Sequence, residues 1–598
     1  MITRHRTIRT FPRRGAGRGV FFSIAIVLVG AAGIGFWWFF GDSALRNALQ
    51  RGLILLSRAD SRAAESLALE NWAAETAAAW RGRPLALAEF ARARFPLTDT
   101  RIRMLVSYVA GVDYGDREKD WKRWAKYREA AERGREPESP ASERVQLDLL
   151  WNADVGPTQW YATILPIDGK IYVPTTGKEF EGAEDAYDGV VLVDGKTGSA
   201  NLIFQSPDRH PRDVMGIAAG DEMIFAACRN GLVYGLSPNG VQRWRASAGG
   251  TVATVPVAFD ANGDGRTDVA VMTTNGHATT LNGESGRPIW NAALEIAPKS
   301  VDEFPLFASP EQAALAGAFS VGAAPGGRGT ALYATTSGGN VYCLTPNRGT
   351  ALWSGRVGRT IAGGLMLVPR EGDAASGLYV GDGSGGVLSF LHAGRDARVA
   401  ELWRLQTQWN DGLAAPIRTI SIPGTTGQAI VACTLGHPEA ISTPGEGHAT
   451  VSLLNERGVE WRFPVDGVIR GAPAVADINA DRRPEIIVAT SLLQPTNEVG
   501  GFLYVISSEG HCLRRLPLEH GVSSSPVVAD VDGDGRLEVL VVLRSGRMRC
   551  YTVGKYGPVQ WGLFAGDIRN SNNAADAFTY SQTPAGFQWK WSPSRPTR

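Results

Sequence analysis

Three short acidic segments have the residue types and spacing of a calcium-binding loop. Each carries carboxylate or amide side chains at its first, third, fifth and ninth positions. The residues are Asp260, Asn262, Asp264 and Asp268; Asp477, Asn479, Asp481 and Glu485; and Asp530, Asp532, Asp534 and Glu538. Calcium takes about six to eight oxygen ligands, and these side chains can converge with a backbone carbonyl near position 7. We expect structural calcium here, because coordination would use every oxygen.

The sixth position distinguishes the middle loop from the other two. Gly265 and Gly535 can adopt the left-handed backbone of a sharp turn, whereas the middle loop has Arg482 there. The twelfth positions, Val271 and Val541, lack the bidentate glutamate of an EF-hand. An Asx-rich turn without metal is the alternative for all three loops, and Arg482 gives it more weight in the middle one.

Other patterns that could do chemistry favour structural interpretations. The Asp382-Gly-Ser-Gly-Gly386 segment stands at a hairpin-turn position, and the histidines at 437 and 448 lie in an insertion whose spacing matches no metal-ligand pattern. No phosphate-binding or dinucleotide-binding motif occurs. The five cysteines are scattered singly and are interpreted as apolar strand residues: Cys228, Cys343, Cys433, Cys512 and Cys550.

The elements that would position the acidic loops are short strands in a repeated order. Residues 223–244 and 332–353 each read as strand, glycine turn, strand, second turn, and a strand ending in tryptophan. The closing tryptophans are at positions 151, 244, 290, 353, 403, 461 and 561. Two of the intervals between these tryptophans are about twice as long as the others, and we expect another residue to replace the tryptophan near Leu202 and Leu513. This gives eight units of about 51 residues, a length that is typical of four-stranded propeller blades.

This pattern resembles known propeller repeats across residues 146–575. The order strand, S/T-x-x-G-x-hydrophobic, G-x-x-x-W resembles quinoprotein-like (PQQ-like) repeats, and the acidic loops are similar to the FG-GAP repeats of integrin α-subunits. The segment 559–572 resembles the sequence that closes such propellers. The resemblance implies a mainly β fold, an eight-bladed β-propeller with seven blades as the alternative. Ring closure predicts that residues 147–151 pair with strands within 539–561.

The resemblance also includes enzymes. A pyrroloquinoline quinone (PQQ) dehydrogenase needs a catalytic carboxylate, a metal beside the cofactor and usually an adjacent cysteine pair. No adjacent cysteines occur, so PQQ is not expected as a cofactor. A calcium-containing polysaccharide lyase is the other enzymatic alternative, because some of these are eight-bladed propellers with similar loops. The sequence lacks the convergent Arg, Lys or His cluster with a carboxylate that would favour it.

The N-terminus has the pattern of a membrane anchor. Residues 1–18 form a basic tail with six arginines and no acidic residue, and residues 19–40 carry no charge and end in an aromatic group. As a helix, residues 19–40 would reach about 33 Å, enough to cross a bilayer. We expect a single-pass, uncleaved signal anchor in a bacterial-type inner membrane, with the N-terminus inside and the propeller on the periplasmic side.

A helical segment and a linker separate this anchor from the repeats. Residues 41–132 have a helical pattern whose end resembles a HEAT-like repeat, residues 133–145 are a polar linker, and residues 576–598 form a C-terminal tail. Residues 1–145 carry a net charge of +9 and residues 146–598 carry −8, which gives no support to nucleic-acid binding.

These features predict a binding protein rather than an enzyme. We expect a non-catalytic scaffold that is tethered to the membrane through residues 19–40 and offers one propeller face to a protein or glycan partner. The insertions at 178–188 and around 296–318 are the candidate partner-facing loops, because propeller insertions project from one face.

Overall fold

The computed structural model describes a few helical residues and most of the strand-rich region. It covers residues 86–89, 92, 102 and 145–574, the last with gaps at 177–187, 208–212, 253, 295–318, 326–328, 337–338, 357–360, 371–372, 383–385, 394–395, 405–412, 414–415, 426–428, 435–447, 456–457, 494–497 and 556. The chain separates into two units, Met1–Ala110 and Gly111–Arg598.

The described residues of the first unit, 86–89, 92 and 102, are helical. The basic tail 1–18, the expected anchor 19–40, almost all of the linker 133–145 and the C-terminal tail 576–598 lie outside the described residues. In the part of the chain that is described, no helix has the length and apolar character needed to cross a membrane.

The second unit consists of strands joined by turns. In chain order they are β1 (Asp148–Asp154), β2 (Leu165–Ile167), β3 (Lys170–Thr176), β4 (Asp188–Asp194), β5 (Ala200–Phe204), β6 (Val214–Gly220), β7 (Met223–Cys228), β8 (Leu232–Leu236), β9 (Gln242–Ser247), β10 (Val257–Phe259), β11 (Asp268–Met272), β12 (His277–Leu281), β13 (Pro288–Ala293), β14 (Phe319–Ala323), β15 (Thr330–Thr335), β16 (Asn340–Leu344), β17 (Ala351–Arg356), β18 (Ile361–Arg370), β19 (Asp373–Asp382), β20 (Gly386–Ala393), β21 (Asp396–Arg404), β22 (Arg418–Ile420), β23 (Ala429–Cys433), β24 (His448–Asn455), β25 (Gly458–Asp466), β26 (Ala474–Ala476), β27 (Glu485–Leu493), β28 (Glu498–Ser507), β29 (Cys512–Leu518), β30 (Val527–Ala529), β31 (Glu538–Val542), β32 (Arg547–Thr552) and β33 (Val559–Trp561).

These described strands form eight antiparallel sheets. Six sheets take four consecutive strands each: sheet A (β2–β5), B (β6–β9), C (β10–β13), D (β14–β17), E (β18–β21) and F (β22–β25). Sheet G contains β26–β29 with β33 added beside β26, and sheet H contains β30–β32 with β1 added beside β32. The mainly β prediction with repeated four-stranded units is therefore confirmed.

Sheet H joins the two ends of the strand-rich region. Strand β1 pairs antiparallel with β32, with Asp148 opposite Thr552 and Asp154 opposite Arg547. This pairing confirms the prediction that residues 147–151 meet strands of the final repeat. The first described strand thus completes the last sheet, whose outer edge would otherwise be open.

The apolar core lies between consecutive sheets and runs through all of them. One cluster joins sheets H, A and B, and further clusters join B to C, C to D, D to E, E to F and G, and G to H. Each sheet therefore packs on the next and the last packs on the first. Inner strands such as β11 and β31 are buried at every residue because both of their faces are covered.

Tryptophans of the outer strands connect four of the described sheets to the next one. The indole nitrogens of Trp151, Trp244, Trp290 and Trp461 donate to backbone carbonyls of the following sheet: Gly195 at 2.8 Å, Gly283 at 2.6 Å, Pro346 at 2.7 Å and Ser508 at 2.8 Å. A Cβ at Gly286 would lie 2.5 Å from the Trp244 ring, so this turn requires glycine. The repeated tryptophan and glycine positions are thus the two halves of one contact between sheets.

The strand register corrects two of the expected tryptophan positions. Trp244 lies opposite Gly235 just beyond a bulge, and the same register puts Arg514 opposite Val505. Arg514, rather than Leu513, therefore replaces one of the missing tryptophans. Leu202 keeps the expected place, four residues after Gly198 as Trp290 is after Gly286, and it lies opposite Val191. Trp561 closes no sheet, because it lies on β33 beside β26. The fourth strand of sheet H is supplied by β1, which leaves the end of the chain free to return to the inner edge.

Candidate functional site

The three acidic loops occupy equivalent places in their sheets. Each connects the first strand to the second, in sheets C, G and H. In a sheet of antiparallel neighbours, the connections from strand one to two and from three to four lie at the same end. We call this end the acidic face, defined by residues 260–268, 477–485 and 530–538.

One network of hydrogen bonds shapes all three loops. The carboxylate at position 1 accepts the backbone N–H of position 6: Gly265 at 2.9 Å, Arg482 at 2.8 Å and Gly535 at 3.0 Å. The carboxylate at position 9 accepts the N–H of position 2: Ala261 at 3.1 Å, Ile478 at 2.9 Å and Val531 at 3.0 Å. The side chains at positions 3 and 5 likewise accept N–H groups two residues on.

Arg482 adopts the turn that was expected to need glycine. Its φ is 71°, close to 80° at Gly265 and 84° at Gly535. Ala480 is also left-handed, with a φ of 60°. Such a conformation costs a residue with a Cβ roughly 1–2 kcal/mol, so the middle loop has the same shape at a higher energy. The three loops therefore have the same backbone conformation and differ in the side chains that could bind a metal ion.

The last loop alone, among the described residues, brings three acidic side chains together. One carboxylate oxygen from each of Asp530, Asp532 and Glu538 lies within 4.8 Å of the others. The other loops have asparagine at the third position. Its amide nitrogen donates to a neighbouring carboxylate, from Asn262 to Asp264 at 2.9 Å and from Asn479 to Asp481 at 3.0 Å. An ionised Asp532 has no proton to donate, so the negative charge of the last loop is less compensated.

The ninth position supplies a buried carboxylate. Glu485 and Glu538 are each 1% exposed, and burial raises the pKa of each to about 8, with the neighbouring aspartates adding to the shift. Burial raises the pKa of Asp268 to about 6. The second oxygen of Asp268 accepts the N–H of Gly283 at 3.1 Å, which binds this carboxylate to its own sheet.

These observations fit calcium best in the last loop. Calcium prefers converging carboxylate oxygens, and a buried carboxylate without a cationic partner is stabilised by a cation. Asp530, Asp532, Asp534 and Glu538 would hold the ion there. In the first and middle loops an asparagine amide already donates to the acidic groups, including Asn479 to Glu485 at 3.2 Å.

A second site-forming feature lies where the first strands of the sheets face one another. Residues 558–573, which we call the axial segment, run along these strands. Backbone carbonyls of the segment accept N–H groups from sheets H, B, C, D and E in that order: Gly562 from Val528 at 2.9 Å, Ile568 from Ala219 at 2.8 Å, Arg569 from Ala258 at 2.8 Å, Ser571 from Val321 at 2.9 Å and Asn572 from Leu367 at 3.0 Å. Strand β33 of the same segment pairs with sheet G.

Two asparagines extend this contact with their side chains. The amide of Asn570 donates to the carbonyls of Ile217 in sheet B and Pro256 in sheet C, both at 2.8 Å. The amide of Asn572 donates to the carbonyl of Leu365 in sheet E. Both asparagines are almost fully buried. They therefore satisfy carbonyls at the inner edges of three sheets.

Sheet F contributes a buried cation, Arg418, the first residue of β22. Its guanidinium donates to the carbonyl of Phe564 and, at 3.4 Å, to the side-chain oxygen of Asn572, and it lies 4.6 Å from the Trp561 ring centroid. Arg418 is 0% exposed, and burial lowers its pKa to about 9, so it stays cationic at neutral pH. Arg418 thus joins the beginning of the axial segment to its end.

The axial contacts were only partly visible in the sequence. The terminal stretch 559–572 was identified by its resemblance to a propeller-closing sequence, but the roles of Asn570, Asn572 and Arg418 were not predicted. The available signal was the pair of asparagines, Asn570 and Asn572, two residues apart. A single arginine in a strand, such as Arg418, gives no such signal.

The remaining candidates are described in part. Residues 383–385, the insertion containing His437, Glu439 and Glu446, and almost all of the insertions 178–188 and 296–318 lie outside the described residues. The five cysteines are free and buried, and each lies in a strand, as expected for apolar strand residues.

One family model matches part of the strand-rich region. Residues 148–392 match the PQQ_2 family model, which is described as outer membrane protein assembly factor BamB. The comparison with curated proteins gives no significant match.

Among solved structures, the chain is similar to BamB from Moraxella catarrhalis, with 15% identity over 69% of this chain and 98% of that chain and a TM-score of 0.42. It is also similar to quinohemoprotein alcohol dehydrogenase from Comamonas testosteroni, with 14% identity, 69% and 77% coverage and a TM-score of 0.45. Saccharomyces cerevisiae Sqt1 matches with 10% identity, 68% and 99% coverage and a TM-score of 0.47. The repeats and the sheets that they form are consistent with a β-propeller, and residues 148–392 of this region are similar to the PQQ_2 family.

Proposed function

We propose that this protein is a membrane-anchored, extracytoplasmic scaffold that binds a protein or glycan partner on one face of a closed eight-bladed propeller. Each of the eight sheets is one blade in this proposal. The axial segment carries the argument. A small-molecule site between the inner strands would have to displace backbone bonds to five sheets and the buried side chains of Asn570 and Asn572.

The partner face is opposite the acidic loops. The insertions 177–187 and 435–447 connect second to third strands, and 295–318 connects a fourth strand to the next first strand. In antiparallel sheets these connections begin and end at the end opposite the acidic face. We call this end the insertion face. Three long connections at one end give a partner a broad surface on a rigid support.

Two further points support a binding role. The matching family model is described as an assembly factor, a non-enzymatic name. In the acidic loops, the side-chain oxygens accept hydrogen bonds from the turn or face another carboxylate. Calcium bound to these oxygens would therefore stiffen the acidic face. Residues 19–40 would tether the whole unit to an inner membrane.

Affinity purification from detergent-solubilised membranes tests the proposal. The full chain should bring down a specific partner, and replacing residues 296–318 with a short Gly-Ser linker should abolish or strongly reduce that capture. The Asp530→Ala variant changes the opposite face and serves as the matched control, with capture retained. Equal capture by the wild type and the linker variant would contradict the assignment of the face.

The enzymatic alternative has its own test. A quinoprotein would show the absorbance of bound PQQ after reconstitution with the quinone and calcium, and we expect none.

A C-terminal reporter that is active only outside the cytoplasm tests the topology. Such a reporter should be active, whereas activity of a cytoplasm-only reporter at that position would contradict the anchor.

A further inference from the structure

The inner edges of the first strands are potential hydrogen-bonding edges that need partners. In an isolated sheet, the first strand has one row of N–H and C=O groups that no neighbouring strand uses. The axial segment satisfies such groups in sheets B, C, D, E and H with its backbone, and it adds a strand to sheet G. The strand added to sheet G is the mode by which an extended peptide adds to a sheet edge, and each of the other five sheets gives the segment a single backbone hydrogen bond.

The segment meets the sheets in the order in which they pack on one another. Gly562 contacts sheet H, Ile568 contacts sheet B, Arg569 contacts sheet C, and Ser571 and Asn572 contact sheets D and E. Leu563 and Ile568 pack in the cluster that includes sheet A. Sheet F contributes Arg418, which contacts Phe564 and Asn572. One short peptide therefore contacts seven sheets directly, sheet G through β33, and packs in the cluster that includes the eighth.

The contacts restrict which residue types a bound peptide can have. The carbonyls of Ile217, Pro256 and Leu365 receive amide donors, and each is buried away from solvent with its asparagine. Gly562 lies where a Cβ would be 2.4 Å from the Val528 carbonyl oxygen, so a larger residue is excluded there. The sheets thus recognise glycine first and then two amide side chains spaced two residues apart.

We propose that the inner edges of the sheets form a peptide-binding site, whose ligand is this chain's own segment 558–573 and which accepts the same peptide in trans. The link to the rest of the chain is the turn at Gly554 and Lys555, both of which are exposed. Cutting this turn would leave the C-terminal fragment attached through non-covalent contacts alone, those described above and the hydrogen bonds of Lys555 and Pro558 with Leu537, Asn479 and Asp477. The inference rests on the fold and is independent of the partner proposed for the insertion face.

The test uses the full, folded chain with a protease recognition sequence inserted between Gly554 and Lys555. After cleavage, the C-terminal fragment should stay bound during gel filtration in native buffer. When the cleaved protein is unfolded and refolded with excess fluorescent peptide 558–574, one labelled peptide should be incorporated per chain. Release of the fragment with an unchanged melting midpoint would overturn the proposal.

Competition by variant peptides tests the recognition itself. A peptide with N570A and N572A loses three hydrogen bonds to buried carbonyls, together with the longer contacts of Asn572 with Ser320 and Arg418. It should compete about 10- to 100-fold more weakly than the native peptide. A peptide with Ser571→Ala is the matched control, because the hydrogen bonds of the Ser571 side chain lie within the segment, with the N–H of Asn573 and the side chain of Asp567. The control peptide should compete like the native one. Equal competition by the double variant would overturn the role of the amides.

Discussion

The third position of the acidic loops decides how well each loop suits a cation. Asn262 and Asn479 donate an amide hydrogen to a neighbouring carboxylate, whereas Asp532 adds a carboxylate to Asp530 and Glu538. The same backbone network surrounds all three side chains. The proposed calcium site therefore depends on one difference at the third position, a donating amide in two loops and a carboxylate in the last.

Exchanging these two side chains should exchange the calcium response. Asp532→Asn should raise the melting temperature in chelator and reduce the increase that calcium produces, and Asn479→Asp should do the reverse. At a calcium concentration tenfold above the Kd, binding adds about 1.4 kcal/mol, a shift of roughly 1–3 °C for a unit of this size. Calorimetry with calcium and with chelator measures both shifts.

Asp530→Ala removes a ligand outright and should reproduce most of the effect of chelation. Binding in the weak extracellular range, with a Kd of roughly 10⁻⁴ to 10⁻³ M, is expected for such a loop. A melting curve of the wild type that is the same with calcium and with chelator would favour the metal-free turn in all three loops.

The buried glutamates predict how the stability of the calcium-free protein depends on pH. The pKa of Glu485 and of Glu538 is about 8 in the folded chain and near 4.5 in the unfolded chain. Between these values the folded state binds more protons, so the free energy of unfolding falls as pH rises from about 5 to 8. Melting temperatures in chelator across this range measure the slope.

Glutamine at both positions gives the control. The Glu485→Gln, Glu538→Gln variant has no proton to release at these sites and should show a flatter profile. Saturating calcium should flatten the wild-type profile as well, because the cation replaces the proton. A wild-type slope of the opposite sign would contradict the burial of ionisable groups at the ninth position.

Arg482 stores conformational strain that glycine would relieve. With a φ of 71°, Arg482→Gly should raise the free energy of unfolding by about 0.5–1 kcal/mol, the gain from the strain exceeding the added entropy of the unfolded chain. Urea unfolding measures the change. Gly535→Ala, at the equivalent position with a φ of 84°, should lower stability, and a gain there would contradict the argument.

At the scale of elements, the repeated tryptophan defines the unit and connects it to its neighbour. Trp244 closes sheet B and donates to Gly283 of sheet C, so its sequence repeat is also a repeat of contacts. This is why the strands and their number per unit could be predicted. Arg514 could not be placed, because the bulge that sets the register leaves no signature in the residue types.

Strand β1 supplies the fourth strand of sheet H, to which the C-terminal part of the chain gives only β30–β32. We expect this closure to stabilise every sheet. Deleting residues 146–152 removes the β1–β32 pairing and the bond from Trp151 to Gly195. The whole unit should then unfold at a lower temperature in one cooperative transition, as measured by circular dichroism. An unchanged midpoint would mean that the closure is dispensable and that an open stack of sheets is stable.

At the scale of the whole molecule, the proposed function gives the two ends of the propeller different roles. The acidic face carries three loops in which carboxylates accept hydrogen bonds from their own turn, and the insertion face carries the long connections. The sequence predicted the loops and the insertions. It could not show which of them share a face, because that depends on the strand order within each sheet.

Residues 559–572 were recognised by their resemblance to a propeller-closing sequence, but the contacts of this axial segment were beyond the sequence. Its residues are uncharged or singly charged and have no periodic pattern, and their partners are backbone groups separated by hundreds of residues, as between Asn570 and Ile217. Backbone groups look alike at every position. Such contacts become visible only when the sheets have been placed around the segment.

Site-specific photo-cross-linking in native membranes tests the central claim, that one face of a closed propeller binds the partner. The probes replace exposed turn residues one at a time: Asn275 and Ser545 on the insertion face, and Asn239 and Ser285 on the acidic face. Asn275 and Ser285 lie at opposite ends of the same sheet, so they form a matched pair. We expect adducts of one size from Asn275 and Ser545 and none from Asn239 and Ser285. Adducts from the acidic-face probes alone, or equally from both faces, would contradict the account.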